Sequence, residues 1–262
     1  MLRFNFEDQV QSWKVSSHDG TSTRIIIIHH LKAMAKIVIT GASSGIGTSI
    51  AESFFHDGSH EMILIGRSKE RLDAVAQSTQ STPMICDLTD EDEVAKICTE
   101  IRERFQSAPH ILINNAGIFA PKPFLSTTPK LFKHQIDANL TGAFLITKEL
   151  VPSMIRAKSG HVFFMGSVAS IKGYAGASAY CAAKHGLLGF ARALRSETLN
   201  TGVRVTTILP GATLTPSWDG TTLPQDRFMP PQDIAQSVLD CWKLSSRTVV
   251  EELLIRPAEG DI

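Results

Sequence analysis

The chain reads as an α/β protein: a parallel sheet covered on both faces by helices, in the doubly wound manner. Short apolar runs of strand length alternate with stretches of helical periodicity along most of its length. The first of these runs opens directly into a glycine-rich turn and then a helical pattern, a strand-turn-helix unit. With 262 residues, 43% of them hydrophobic, the chain can bury one substantial core, and no shift in composition divides it.

Taken in order, the apolar runs are Ile37 to Ile39, Met62 to Ile65, Met84 to Ile85, Ile111 to Ile113, Val162 to Met165, Val203 to Ile208 and Val249 to Ile255. Parallel strands buried on both faces are near-continuously apolar, as these are. Helices between them return the chain by right-handed crossovers. The first helix is expected over Thr48 to His56, after the turn Thr40-Gly41-Ala42-Ser43-Ser44-Gly45-Ile46-Gly47. Its glycines let the backbone bend tightly and approach a pyrophosphate, whose charge the free N–H groups of a helix start stabilise. Thr213 to Pro231 is the one long irregular stretch, and such loops usually serve as lids. In an open sheet of this kind, ligand chemistry belongs at the carboxyl ends of the strands, where the strand order reverses.

Residues 1–33 fit no element of this plan. They are expected to be a disordered extension or the product of a misplaced start, with Met34-Ala35-Lys36 as the natural beginning of a single domain over residues 34–262. The longest apolar stretch among them, Ile25 to Ile28, is too short for a signal or a membrane span. A soluble, cytoplasmic protein without a membrane partner is expected. A formal net charge of zero argues against a nucleic-acid partner, which would demand a basic excess. Cys86, Cys98, Cys181 and Cys241 show no Cys-x-x-Cys spacing and suit free thiols in a reducing compartment. The pair His29-His30 reads as incidental, and no metal is implied.

Tyr180 and Lys184 stand four apart in an Ala/Gly-rich helical stretch that begins 180 − 167 = 13 residues after Ser167. Positions i and i+4 share a helix face, so the ammonium can lie beside the phenol and favour phenolate. Bringing a phenol from near 10 to near 7 needs about 4 kcal/mol. One charge at about 4 Å and an effective dielectric near 20 supplies about that much. An acid or base poised near working pH suits reversible alcohol/carbonyl interconversion. The same pair would also serve as a solvated helix face.

Thr40 to Gly47, Asn114-Asn115-Ala116-Gly117, Ser167, the Tyr180/Lys184 pair and Pro210-Gly211-Ala212-Thr213-Leu214-Thr215 occur in that order, and together they resemble the short-chain dehydrogenase/reductase family. The resemblance spans roughly residues 35–262. It implies a Rossmann fold with a seven-stranded sheet in the order 3-2-1-4-5-6-7. It implies a catalytic set of Asn139, Ser167, Tyr180 and Lys184, with Asn139 holding a water that links Lys184 to solvent. Gly41, Ser43, Ser44, Gly45, Ile46 and Gly47 would then cradle the dinucleotide, and Asn115, Ala116 and Gly117, within Asn114 to Gly117, would partly meet its ribose and partly brace the sheet. Pro210, Gly211, Thr213 and Thr215 would hold the nicotinamide carboxamide, and Tyr180 and Lys184 would also meet the nicotinamide ribose. Asp87 would accept from the adenine amino group and Leu88 supply backbone contact, although the Asp87 run is equally a helix-start signal.

Where an acid would bind ribose hydroxyls, at the end of the second strand, the chain has Ile65-Gly66-Arg67-Ser68. Arg67 can pair with a phosphate dianion, and Ser43 and Ser68 can donate to it, so NADP(H) is favoured over NAD(H). The bland alternative is that Arg67 caps a solvated helix start. The expected activity is hydride transfer between cofactor and a neutral, moderately apolar carbonyl or alcohol, with Tyr180 as acid/base and Ser167 bonding the same oxygen. Phe119, Pro121, Val168, Ala169, Tyr174, Leu214 and Trp218 are the candidate substrate positions. Two alternatives are a 3-oxoacyl-thioester reductase, with Arg156, Arg192 and Arg195 serving an acidic carrier, and a catalytically silent dinucleotide-binding regulator. The resemblance also implies a homodimer or homotetramer through helices at Thr128 to Ile155 and Ala179 to Leu199, though Ala182, Ala183, Gly186 and Gly189 are equally suited to packing within one chain.

Overall fold

A computed structural model describes residues 10–16, 22–28 and 34–262. The chain divides into two units, Met1–Met34 and Ala35–Ile262. In the first, β1 (Val10–Ser16) and β2 (Ser22–Ile28) pair antiparallel, Val10 opposite Ile28 and Ser16 opposite Ser22. The rest of the leading segment, including His29-His30 and most of what bears on a disordered extension or misplaced start, lies outside the described residues.

In the second unit seven strands form one parallel sheet. They are β3 (Lys36–Thr40), β4 (Glu61–Gly66), β5 (Thr82–Ile85), β6 (Ile111–Asn114), β7 (Gly160–Met165), β8 (Val203–Pro210) and β9 (Glu252–Ile255). Their spatial order is β5-β4-β3-β6-β7-β8-β9, which is 3-2-1-4-5-6-7 counted from β3. The sheet is doubly wound because successive side chains point to opposite faces and both faces are apolar. Ile37, Ile39, Met62, Leu64, Phe163 and Met165 meet helices α1 (Gly45–Asp57), α2 (Lys69–Ser78) and α7 (Pro231–Lys243) on one side. Val38, Ile63, Ile65, Leu112, Val162 and Phe164 meet α3 (Glu91–Phe105), α5 (Gly142–Ala157) and α6 (Ser178–Glu197) on the other.

Three boundaries differ from the sequence reading. Helix α1 begins at Gly45, inside the glycine turn, because Ser44 is the extended residue that precedes it. The last strand starts at Glu252 rather than Val249, since its register on β8 begins with Thr207 opposite Glu252. The short run at Met84 extends back to Thr82 and takes in Pro83, which β5 tolerates as an edge strand. The irregular stretch after Thr213 is pinned at its base: Met229 donates its N–H to Ala212 and accepts from Leu214.

One turn is sterically determined. Gly202, at φ +82°, leads from α6 into β8, and a Cβ there would meet Lys158 Cα at 3.2 Å and its carbonyl carbon at 2.5 Å. Gly202→Ala combines left-handed strain with a backbone clash, so it should lower stability by roughly 1–3 kcal/mol in urea unfolding. An unchanged midpoint would show that the turn can relax.

Candidate active site

Most motifs singled out in the sequence lie just beyond the carboxyl end of a strand: Gly41 after β3, Arg67 after β4, Asp87 after β5, Asn115 after β6, Ser167 after β7 and Gly211 after β8, while Tyr180 and Lys184 stand on α6 and Asn139 just ahead of α5. One cavity of about 520 Å³ gathers them. Its walls include Gly41, Ser43, Ser44, Gly45, Ile46, Arg67, Ser68, Asp87 and Leu88. They continue through Asn115, Ala116, Gly117, Asn139, Ser167, Tyr180 and Lys184 to Pro210, Gly211, Thr213 and Thr215. Of the expected positions Gly47 is not in the wall: it is buried behind the turn.

The glycine turn is locked to the neighbouring strand end. Thr40 Oγ1 accepts from the N–H groups of Asn115 and Ala116, both at 3.0 Å, while Asn115 Nδ2 donates to the carbonyls of Thr40 and Gly41, both at 3.1 Å. A Cβ on Gly41 would stand 2.7 Å from Ala116 Cα, and one on Gly47 would stand 2.6 Å from Asn115 Nδ2. The glycines are therefore required by the protein's own close packing as well as by any ligand's approach. Ser44 precedes α1 without capping it through its side chain, and no acidic residue occupies the first turn. The helix start is open toward an anion.

Ser167 begins a short 3₁₀ turn over Val168–Ser170, accepting from Ala169 N–H while its own N–H donates to Ser170 Oγ. That box holds it at the pocket floor. Lys184 is 4% exposed and donates to the Met165 carbonyl at 2.8 Å, its Nζ 5.7 Å from the centre of the Tyr180 ring. Burial lowers its pKa to about 8. Tyr180 keeps some surface at the cavity, yet the protein around it pushes the phenol up to about 12, against a hydrogen bond with Ser167 that pulls it down. The direction is opposite to the lowering expected from the i+4 spacing, because burial is the largest influence on the phenol.

Asn139 sits in a π-helical turn, Asp137–Thr141, that joins α4 (Pro129–Ile136) to α5. Its Oδ1 accepts from Ile118 N–H at 3.1 Å, and its Nδ2 lies 3.0 Å from the carbonyls of Ile118 and Gln135 and from Gln135 Oε1. Its amide is thus committed to bracing the segment after β6, and a Cβ on Gly117 would come 2.6 Å from Asn139 Oδ1 and 3.5 Å from Lys184 Nζ. Asp87 does not cap α3, a task that Asp90 performs. Its Oδ1 accepts from Thr89 N–H and Oγ1, chiefly lowering its pKa through the backbone bond.

Of the expected substrate positions Phe119, Pro121, Val168, Ala169, Tyr174 and Trp218 line the cavity, and Leu214 does not. Leu214 is drawn into the pairing with Met229 instead. Phe119 stands edge-on to Tyr180 at 5.0 Å and tilted to Trp218 at 5.9 Å. Three participants went unnoticed in the sequence. Arg71 lines the cavity and donates to Ser68 Oγ at 3.1 Å; its i+4 spacing from Arg67 was the available signal. Thr40 has a hydroxyl whose place as a hub nothing local betrays. Asp261 lines the cavity some 80 residues beyond Tyr180, and only the fold brings it there.

A family model described as short chain dehydrogenase matches residues 35–225. A sepiapterin reductase of Chlorobaculum tepidum is 35% identical over 240 residues, covering 86% of this chain and 97% of that protein. An alcohol dehydrogenase of Thermococcus sibiricus, solved with 5-hydroxy-NADP, is 27% identical with a TM-score of 0.80, covering 87% of this chain and 99% of its own. A metagenomic short-chain oxidoreductase solved with NADP is 29% identical with a TM-score of 0.75, covering 86% and 98%. The match of family model, sheet order and relatives of nearly full length makes this chain a member of the short-chain dehydrogenase family, and hence an oxidoreductase.

Proposed function

We propose that the chain is an NADP(H)-dependent reductase of a neutral, moderately apolar carbonyl, reversible toward the alcohol, with Tyr180 as the acid/base. The observation that carries this reading is that one cavity holds Ser167, Tyr180 and Lys184 together with the basic and hydroxyl group Arg67, Ser68, Arg71 and Ser43. β4 and β7, which present these two sets, stand three positions apart in the sheet, about 14 Å at the usual strand spacing. A ligand that meets both sets is extended, as a dinucleotide is. The uncapped start of α1 and the bare glycine cradle fit its pyrophosphate.

A bound nicotinamide supplies the hydride that the carbonyl carbon accepts. As the C=O π pair moves onto oxygen, Tyr180 gives that oxygen its phenolic proton, and Ser167 donates a hydrogen bond to it. Lys184, charged below about pH 8, stabilises the phenolate left behind. Asn139 acts as a positioning residue for Gly117 and Ile118, and a water between it and Lys184 would return the proton. Arg67 and Arg71 would hold a 2′-phosphate, Asp87 and Leu88 the adenine, and Pro210, Gly211, Thr213 and Thr215 the carboxamide.

The aromatic wall of Phe119, Tyr174 and Trp218 suits a substrate with a flat unsaturated portion, and the name of the Chlorobaculum relative supports the same class. For the thioester alternative, Arg192 pairs with Glu252 at 2.7 Å and Arg195 with Glu251 at 3.0 Å, while Arg156 is exposed on α5, and the 3-oxoacyl-(acyl-carrier-protein) reductase of Mycobacterium avium, 33% identical over 175 residues, keeps that reading in view. The intact catalytic set speaks against a silent regulator. Four buried, unpaired cysteines support a cytoplasmic setting, and no described helix is long and apolar enough to cross a membrane. Exposed Phe132 and Phe144 support self-association through α4 and α5. Ala183 and Gly186 are used within the chain, Gly186 against Leu140.

The decisive experiment is a panel of aryl ketones, diketones and sepiapterin, followed by loss of reduced-cofactor absorbance with NADPH and NADH. Tyr180→Phe should lower kcat about 10²–10⁴-fold while NADPH still binds. Near-normal turnover would end the assignment of Tyr180. Replacing Arg67 and Arg71 together by Ala should raise KM for NADPH about tenfold or more and leave KM for NADH in place. A parallel rise in both would remove the 2′-phosphate from their neighbourhood. Because the Lys184 charge is present below its pKa and lost above it, kcat/KM for reduction should fall as pH rises past about 8. Lys184→Arg, which stays charged, should move that limb upward, and an unmoved limb would assign it to another group.

A further inference from the structure

The segment after β9 crosses the outer side of the cavity and is tied to the loops on both flanks. Gly211 N–H donates to Ile255 O at 2.7 Å, and a Cβ on Gly211 would stand 2.9 Å from Pro257 Cδ, which fixes where the segment starts. The chain then turns: Gly260 N–H donates to Pro257 O, and Gly260 takes φ +89°, a conformation that favours glycine. The turn delivers Asp261 to the wall of the cavity. Asp261 Oδ2 accepts from Tyr174 Oη at 2.8 Å, from Arg256 Nη1 at 2.9 Å and from Lys172 Nζ at 3.3 Å. On the opposite flank Glu259 Oε2 accepts from Arg227 Nη1 at 2.5 Å, in the last 3₁₀ turn of the irregular stretch, Gln225–Arg227.

The two ties are unequal. Glu259 is 76% exposed, so its ion pair is screened and weak. The Asp261 side chain is only 16% exposed, and a carboxylate that accepts three donors, two of them cationic, makes strong hydrogen bonds. Tyr174 transmits what Asp261 fixes. Its ring packs with Phe119 and Tyr180 around Ala169, Ala177 and Cys181, its N–H donates to Cys181 Sγ at 3.4 Å, and Lys172 Nζ lies 5.0 Å over its ring. Residues 171–177 are anchored at their ends, where Ile171 and Lys172 N–H donate to Val168 O and Ala177 N–H donates to Tyr174 O, but Ile171, Lys172, Gly173 and Ala175 are exposed.

We infer that Asp261 is a positioning residue which, by holding Tyr174 and Lys172 to the segment after β9, sets the outer wall of the substrate side of the cavity and so the shape of carbonyl that it admits. The inference rests on the proposed carbonyl-reductase reading for the identity of the substrate, though not for the existence of the tie. Asp261 touches neither the reacting oxygen's partners nor the residues assigned to the cofactor, so its effect should fall on the carbonyl substrate.

The test pairs hydrogen–deuterium exchange with kinetics on the full chain carrying Asp261→Ala, Tyr174→Phe, or both. In Asp261→Ala, amides of residues 171–177 should exchange about tenfold faster or more, while those of β6 and β7 keep their wild-type rates. KM for the carbonyl should rise about tenfold, more than kcat falls, with the NADPH dissociation constant unmoved. Tyr174→Phe should do part of the same, and the double variant should add little to Asp261→Ala, since both break one tie. Unchanged exchange at 171–177, additive effects, or a KM rise matched by weaker NADPH binding would overturn the inference. If the wild-type chain reduces none of the carbonyls, the carbonyl-reductase reading fails instead, and the exchange rates alone decide the role of Asp261.

Discussion

The hydroxyl of Thr40 holds the site together. It accepts from two successive N–H groups after β6 and lies 3.3 Å from the Ile113 carbonyl, so one buried oxygen joins the ends of the two strands between which the sheet reverses. Asn115 completes the junction from the other side, with its amide on the carbonyls of Thr40 and Gly41. The glycine turn can approach Ala116 closely only because these bonds draw it there, and Gly41 and Gly47 can be nothing larger for the same reason. Removing the junction would let the turn lift from the sheet, and the open helix start would lose its aim. The crevice is thus preorganised by the protein's own hydrogen bonds, before any ligand contributes.

Beyond that junction the electrostatics are governed by burial. The cation that an i+4 spacing places beside Tyr180 is itself nearly inaccessible, and the desolvation that raises the phenol also lowers the ammonium. Both groups are pushed toward their neutral forms, the reverse of what a simple pair in water would do. A phenol kept protonated is the state that a reducing step needs, since reduction consumes the proton.

Most of the fold was legible because its information is local. Strands such as Ile37 to Ile39 and Ile111 to Ile113 are buried on both faces, and burial of that kind writes a continuous apolar run into the chain. What could not be read is what depends on pairing at a distance. The start of β9 follows from its register on β8, and the edge position of β5 is what admits Pro83. Within the site, residues in compact motifs stood out, whereas Thr40 looked like any strand-end threonine and Asn139 gave no sign that its amide was already committed to Ile118 and Gln135. The estimate for Tyr180 failed for a related reason: spacing gives the distance between two side chains but not how much protein surrounds them.

The outer wall of the cavity shows the same limit most plainly. Phe119 and Trp218 could be placed there from the sequence, which suggested a mostly apolar or aromatic pocket. Asp261 comes from a segment without motif or periodicity, and its place depends on β9 completing the sheet and on Gly260 turning the chain back. The glycine turn, the segment after β6 and Ser167 stand at strand ends, where geometry is rigid. The wall around Tyr174 is built from a tail, a loop and a few charges whose hold on one another can change without disturbing the sheet. A fold divided in this way can keep its rigid strand-end site while the rim around it is altered by single residues.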